Sequence, residues 1–132
     1  MIDEIVLIKQ CFPNTWKRKM ALMFLFPHRT LKVKEDRLVV SLCLVSGNRI
    51  TLLCTKPGFE GRGYASKLVK DSKATTTYTY EGNEKAIEFW GKLGFKPVGT
   101  AYTWTGNRVW LEKDSFQEDY EDALQVERLI QP

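Results

Sequence analysis

The chain has 132 residues, 43% of them apolar and 27% charged, and a net charge of +4, which fits a single soluble domain with one sizeable core. No apolar run approaches the roughly 18 residues of a membrane span; ALMFLF (21–26) is short and is stopped by Pro27, and the acidic start MIDEIVLIK is unlike a signal peptide, so the reading is cytoplasmic. Three cysteines (11, 43, 54) without CxxC spacing and a lone His28 exclude a disulfide framework, a metal site and any chemistry that needs several imidazoles.

Taken in chain order, Ile5, Ile8 and Phe12 repeat at helical spacing over residues 3–12. Asn14 or Thr15 can cap a second helix from Trp16 to about Phe26. The period then changes, and 31–34, 38–45 and 49–55 read as strands. The last two are joined by Gly47-Asn48, a dipeptide suited to a tight hairpin. LVVSLCLV is apolar at nearly every position, as a strand covered on both faces would be.

Glycines 58, 61 and 63 then lead into a helix over 62–73, and ATTTYTY (74–80) is a strand by propensity. A helix over 83–93 is capped by Asn83 and stopped at Gly94. A hairpin around Gly106-Asn107 should set Trp104 across from Trp110. Ser115 and Glu118 form a capping-box pattern for a last helix. The expected organisation is a body over 1–114 and an acidic helix over 115–132. Strand, helix, strand across 49–80 predicts one parallel pair in an otherwise antiparallel sheet.

Charge is unevenly spread: +4 over 1–37, +5 over 38–111 and −5 over 112–132. A basic body suits anionic ligands or partners. The run Trp16-Lys17-Arg18-Lys19 sets an aromatic among three cations, which is a nucleic-acid pattern as well as that of a solvated helix start.

Spacing tests what the glycine turn can be. Gly58 to Gly63 has the Walker gap, but Tyr64-Ala65 stands where Lys-Ser/Thr is required; Ser66 is a weak third small residue for a dinucleotide fingerprint. By itself the turn is a structural feature with a bias towards phosphate.

Two motifs in order carry a resemblance. Glu60-Gly61-Arg62-Gly63-Tyr64-Ala65 follows the pattern R/Q-G-x-G-x-G/A into a helix, and Asn83-Glu84-Lys85-Ala86-Ile87-Glu88-Phe89-Trp90-Gly91-Lys92-Leu93-Gly94-Phe95 follows N-x-x-A-I-x-F-Y-x-x-L-G-F. Across about residues 31–112 the chain resembles the GNAT superfamily of acyl-CoA-dependent acyltransferases. The resemblance implies an α/β fold of the α+β kind, with helices on both faces of a mixed, mostly antiparallel sheet and a splayed parallel pair, strands 49–55 and 74–80. An extra C-terminal helix is appended, and the strand that usually precedes the first helix is missing.

It also implies a site. Leu53, Cys54 and Thr55 would pair with the pantetheine arm of acetyl-CoA, and the amides of Glu60, Gly61, Arg62, Gly63, Tyr64 and Ala65, with Ser66 beyond them, would hold its pyrophosphate. Arg62 and Lys67 would add charge, while Asn83, Ala86, Phe89 and Trp90 complete the cofactor set. An amine attacks the thioester directly, and amides near Cys54 and Thr55 stabilise the oxyanion.

Two positions depart from the family. Glu60 stands for Arg or Gln, its side chain expected in solvent or paired with Arg62 or Lys56. Trp90 stands for the tyrosine that protonates the leaving thiolate, a step an indole cannot perform. Tyr78 and Tyr80 are the substitute acids and Glu81 the candidate base. The implied activity is N-acetyl transfer to an amine, small molecule or protein, in a ternary complex, with homodimerisation open. The rival readings are a non-catalytic acyl-CoA-binding protein and modification of nucleic acid or a nucleic-acid-bound protein.

Overall fold

The computed structural model describes residues 2–25, 27–104 and 106–113. In chain order the elements are α1 (Ile2–Cys11), α2 (Trp16–Leu25), β1 (Arg29–Glu35), β2 (Leu38–Ser46), β3 (Arg49–Thr55), α3 (Tyr64–Ser72), β4 (Thr76–Tyr80), α4 (Glu84–Lys92), β5 (Phe95–Thr103) and β6 (Gly106–Lys113). The helix expected from Ser115, and the boundary placed before it, lie outside the described residues. Among the described residues no strand precedes α1, and no helix is long and apolar enough to cross a membrane. The six strands run in the order β1-β2-β3-β4-β6-β5, mostly antiparallel with one parallel pair, β3 and β4. Two compact units divide the chain, Met1–Tyr78 and Thr79–Pro132, with the boundary inside β4.

The first unit is built on β2. Val39 to Val45 are all buried, because α1 packs on this strand and so does α3. Leu7 and Ile8 of α1, Met23 of α2, Val39, Leu42 and Leu44 of β2, and Leu52 and Cys54 of β3 form one apolar cluster. Val39 shares that cluster with Leu42 despite the odd spacing. The β1–β2 register skips Val40, and a bulge of this kind returns the next side chain to the same face. Burying each such side chain stabilises the fold by about 1.5–3 kcal/mol. Burial also pushes the Cys43 thiol up to about 12, so it serves as a small hydrophobe.

At the edge of this cluster Glu4, 4% exposed, meets Lys32 Nζ at 2.7 Å. That hydrogen bond holds the carboxyl at about 2, well below its ordinary value.

In the second unit Asn83 caps α4, its side-chain oxygen accepting from the Ala86 amide at 3.2 Å. Gly94, at φ +93, lets the chain turn straight into β5. The hairpin that follows closes at Thr103↔Gly106, one step earlier than the sequence pattern suggested, because Gly106 takes φ +131 at the closing position. Trp110 therefore lies opposite Gly99, and Trp104, in the turn, is 95% exposed; the two tryptophans do not face each other. Helix α3 also begins two residues later than the pattern 62–73, since Gly61 and Gly63 both adopt left-handed conformations.

Candidate functional site: a strand, a glycine turn and a helix N-terminus

In the first unit β3 passes through the glycine turn into α3. Its partnership with β4 is short: the register is one pair, Arg49↔Thr76, supported by Thr77 Oγ1 donating to the Ile50 carbonyl at 3.2 Å. The start of β4 is fastened to the Gly47-Asn48 turn, where the Thr75 and Thr76 amides donate to the Asn48 carbonyl at 3.2 and 3.1 Å. Against β2 the picture differs, for Ser41 to Leu44 pair with Thr55 back to Leu52. From Leu52 to Thr55, then, β3 is held by β2 on one side, and its register with β4 has already ended. A strand edge of that kind offers amides and carbonyls to an extended ligand.

At the end of the strand Ser41 Oγ donates to the Cys54 carbonyl at 3.2 Å and lies 3.0 Å from Thr55 Oγ1. Cys11 Sγ donates to the Thr55 carbonyl at 3.2 Å. The Cys11 and Cys54 thiols are themselves in hydrogen-bond contact, which lowers Cys11 and, together with burial, raises Cys54 far above the ordinary thiol range. A shallow cavity of about 180 Å³ opens beside Lys56, between α1 and the start of β2, lined by Asp3, Val6, Leu7, Gln10, Leu38 and Val39.

The turn itself is left-handed at Gly61 (φ +77) and Gly63 (φ +82), a conformation L-residues rarely adopt. No protein atom lies within 4 Å of where a Cβ at either glycine would stand, so the turn opens onto free space. Gly63 is the N-cap of α3 and brings no side chain to its first turn, and among the described residues the amides of Tyr64, Ala65 and Ser66 have no acceptor in the chain. Three unused donors at the positive end of a helix dipole, above open space, are the arrangement a candidate anion cradle requires.

Around the glycine turn, Glu60 is exposed, the first of the two placements expected for it. Arg62 Nη1 donates to Glu35 Oε2 at 3.0 Å, and its guanidinium lies 4.5 Å from the centre of the Phe59 ring. Tyr64 Oη donates to the other oxygen of the same carboxylate, which holds the phenol above its ordinary range. Lys56 lies over Phe59 rather than beside Glu60, and Lys67 is exposed on α3.

Within the second unit the remaining candidates are placed as follows. Trp90 is 6% exposed and sits edge-on between Phe89 and Phe95, with ring centres 5.2 and 5.1 Å away. Tyr80 is 40% exposed, close to Gly106 and with Arg108 5.8 Å from its ring centre. Glu81 accepts from Asn107 Nδ2 at 2.9 Å, and its amide donates to the Asn107 carbonyl. Tyr78, in the first unit, is partly buried. The oxygen of Asn83 and the amide of Ala86 are both used in the α4 cap. The basic run at the start of α2 lies against the chain's own rings: Lys9 and Lys17 are 4.5 and 5.6 Å from Trp16, and Lys19 is 5.1 Å from Phe12.

The sequence profile of the family described as FR47-like protein matches residues 34–105, more than half of the chain and all of this strand-turn-helix segment. The chain belongs to the FR47-like family of the GNAT superfamily. Solved structures share its architecture. The apo-form of YjaB from Escherichia coli superposes with a TM-score of 0.64 at 22% identity, covering 82% of this chain and 86% of YjaB. The ribosomal-protein-S18-alanine N-acetyltransferase of Escherichia coli gives 0.63 at 14% identity, covering 84% of each chain. The PaiA N-acetyltransferase of Thermoplasma acidophilum, solved with coenzyme A, gives 0.60 at 13% identity, covering 85% and 91%. None of the curated protein sequences compared with the chain matches it.

Glu35, Ser41 and Cys11 meet the candidate strand and turn, and sequence reasoning missed them. Each does so through contacts 13 to 44 residues apart in the chain, and nothing local in the sequence marks them.

Proposed function

We propose that the chain is an acyl-CoA-dependent N-acyltransferase that moves an acetyl group to an amine in a ternary complex. The observation that carries the reading is the cradle: three unused helix-start amides beyond left-handed Gly61 and Gly63, continuous with a strand that has no β4 partner in register from Leu52 to Thr55. Supporting it are the family and the relatives of like fold, two of which are N-acetyltransferases, one of those in complex with coenzyme A.

A thioester co-substrate supplies the activated acyl group. The amides of residues 60–65 bind its pyrophosphate, with Lys67 near enough in sequence to add charge; Leu53 to Thr55 align its pantetheine arm as an added strand. Ser41 fixes the end of that strand by holding the Cys54 carbonyl and the Thr55 hydroxyl, so the edge keeps its direction without a β4 partner. Alignment of this kind is the main contribution asked of the chain, since placing two reactants together can supply about 7 to 11 kcal/mol. A thiol of pKa about 8.5 leaves without strong acid assistance, and this suits a site where Trp90 replaces a tyrosine. Tyr78 and Tyr80 are proposed for the residual acid role and Glu81 for the base.

The second reading, an acyl-CoA-binding protein without turnover, is favoured by Trp90, which is buried between two phenylalanines and carries no proton to give. Free-thiol release from acetyl-CoA in the presence of a panel of amines separates the two. Amine-dependent release is expected; tight binding of acetyl-CoA with no release from any amine would establish the binder instead.

A further inference from the structure

Glu35 stands at the end of β1, 25 residues before the glycine turn and outside both motifs. It nonetheless touches the turn twice. One carboxylate oxygen accepts from Arg62 Nη1 at 3.0 Å and the other from Tyr64 Oη. These two residues flank Gly63, the N-cap of α3, and Arg62 is the single residue between the left-handed glycines. One carboxylate therefore holds the side chains on both sides of the residue whose conformation aims the cradle amides.

Such a grip has a physical purpose here. A segment with glycines at 58, 61 and 63 loses more conformational freedom on ordering than the same segment without them would. Amides that must be ordered by their own ligand bind it more weakly than amides already in place. Arg62 is further confined by the Phe59 ring on its other side.

The placement of Glu35 is itself tightly defined. Glu35↔Leu38 closes a two-residue hairpin whose turn residues, Asp36 (φ 49) and Arg37 (φ 67), are both left-handed although neither is glycine. Side chains in that region cost about 1 kcal/mol or more apiece. A longer, relaxed loop would end β1 elsewhere and carry the carboxylate away from residues 62 and 64.

We infer that Glu35 is a positioning residue for the phosphate cradle, holding Arg62 and Tyr64 so that the amides of residues 60–66 stand ordered before any ligand arrives. The inference rests on the proposed acyl-CoA reading for its ligand, but the ordering itself does not. Its sign is distinctive. By charge alone a carboxylate beside an anion site weakens binding, so removing it should tighten coenzyme A; by positioning, removing it should loosen coenzyme A.

The test compares the full chain with Glu35→Ala and Glu35→Gln, using coenzyme A and acetyl-pantetheine, which lacks the phosphates, as probes. Glu35→Ala is expected to weaken coenzyme A about tenfold, the scale on which loss of an outer support registers, and to leave acetyl-pantetheine unchanged. Glu35→Gln, which keeps an acceptor oxygen, is expected to fall between that variant and the wild type and serves if the alanine variant is poorly folded. In the Arg62→Ala, Tyr64→Phe background the Glu35→Ala effect should vanish.

Backbone amide NMR relaxation without ligand gives an independent readout: the order parameters of residues 60–66 should fall in Glu35→Ala, with those of β2 unaltered. Tighter coenzyme A binding in either variant, equal loosening of acetyl-pantetheine, or unchanged order parameters over residues 60–66 would overturn the inference. A wild type that binds no coenzyme A would remove the acyl-CoA reading, and the relaxation experiment would then decide the ordering role of Glu35 by itself.

Discussion

β2 and β5 are both nine residues long, yet Val39 to Val45 of the first are all buried whereas Phe95 is the one buried residue of the second. The contrast follows the sequences LVVSLCLVS and FKPVGTAYT, one apolar but for Ser41 and Ser46 and the other broken by Lys96, Pro97 and Gly99. It teaches where each unit keeps its order. The first unit is a strand platform in which β3, leading into the glycine turn, is paired with β2. In the second, α4 packs on the start of β5 around Trp90 and Phe95, the rest of β5 is mostly exposed, and β6 is half-buried with Leu111 in the core. The strand that carries the proposed cradle therefore has a fully packed neighbour, while Trp90 is part of a core.

That comparison can be broken most forcefully at Trp90. If the indole is the centre of the second unit's packing, Trp90→Ala should cost about 3 to 5 kcal/mol of stability, measured by denaturant unfolding. A loss under about 1 kcal/mol would mean that this unit is organised by something else.

On the side of the first unit, the pair Glu4 and Lys32 predicts an acid dependence. The Glu4 carboxyl titrates at about 2 in the folded chain against an ordinary 4.5. Its contribution is therefore complete above pH of about 4.5 and lost as the pH falls towards 2, amounting to about 1 to 3 kcal/mol once the partial exposure of Lys32 is discounted. Glu4→Gln should flatten this limb of the stability curve, and an identical curve would remove the pair from the account.

Arg37→Gly sharpens the contrast from the other direction. The left-handed backbone at φ 67 is one that glycine adopts freely, so the variant should gain about 1 kcal/mol in thermal unfolding. Smallest of all, Trp104→Ala, at a position 95% exposed in the hairpin turn, should change stability by less than about 0.5 kcal/mol. A larger loss would show that the hairpin tip has a partner in the folded chain.

Much of this was legible beforehand because it is local. The apolar run of β2, the Asn83 cap, the stop at Gly94 and the glycine turn are each written within a few residues, and the parallel pair followed from the order strand, helix, strand. The misreadings share a cause. The last hairpin was registered on Gly106-Asn107, the expected turn dipeptide, but Gly106 closes the turn rather than forming its centre. The β1–β2 turn at Asp36-Arg37 contains no glycine and gave no turn signal, although both residues are left-handed. Glu35 was invisible for a further reason. Its partners Arg62 and Tyr64 are 27 and 29 residues away, so only the folded strand brings a carboxylate to the cradle. Of the two expectations for Glu60, solvent or a pair with Arg62 or Lys56, the exposed side chain agrees with the first.

The central claim is that the amides following Gly61 and Gly63 receive the pyrophosphate of an acyl-CoA, and a titration of acetyl-CoA into the wild type and Gly63→Val tests it most directly. The wild type should bind and gain about 2.7 kcal/mol of stability at a hundredfold excess over Kd. Gly63→Val, which forces a β-branched residue into φ +82 and sets a side chain in the open space above the amides, should lose that binding. Equal affinity in the two proteins, or no stabilisation of the wild type at millimolar ligand, would contradict the account.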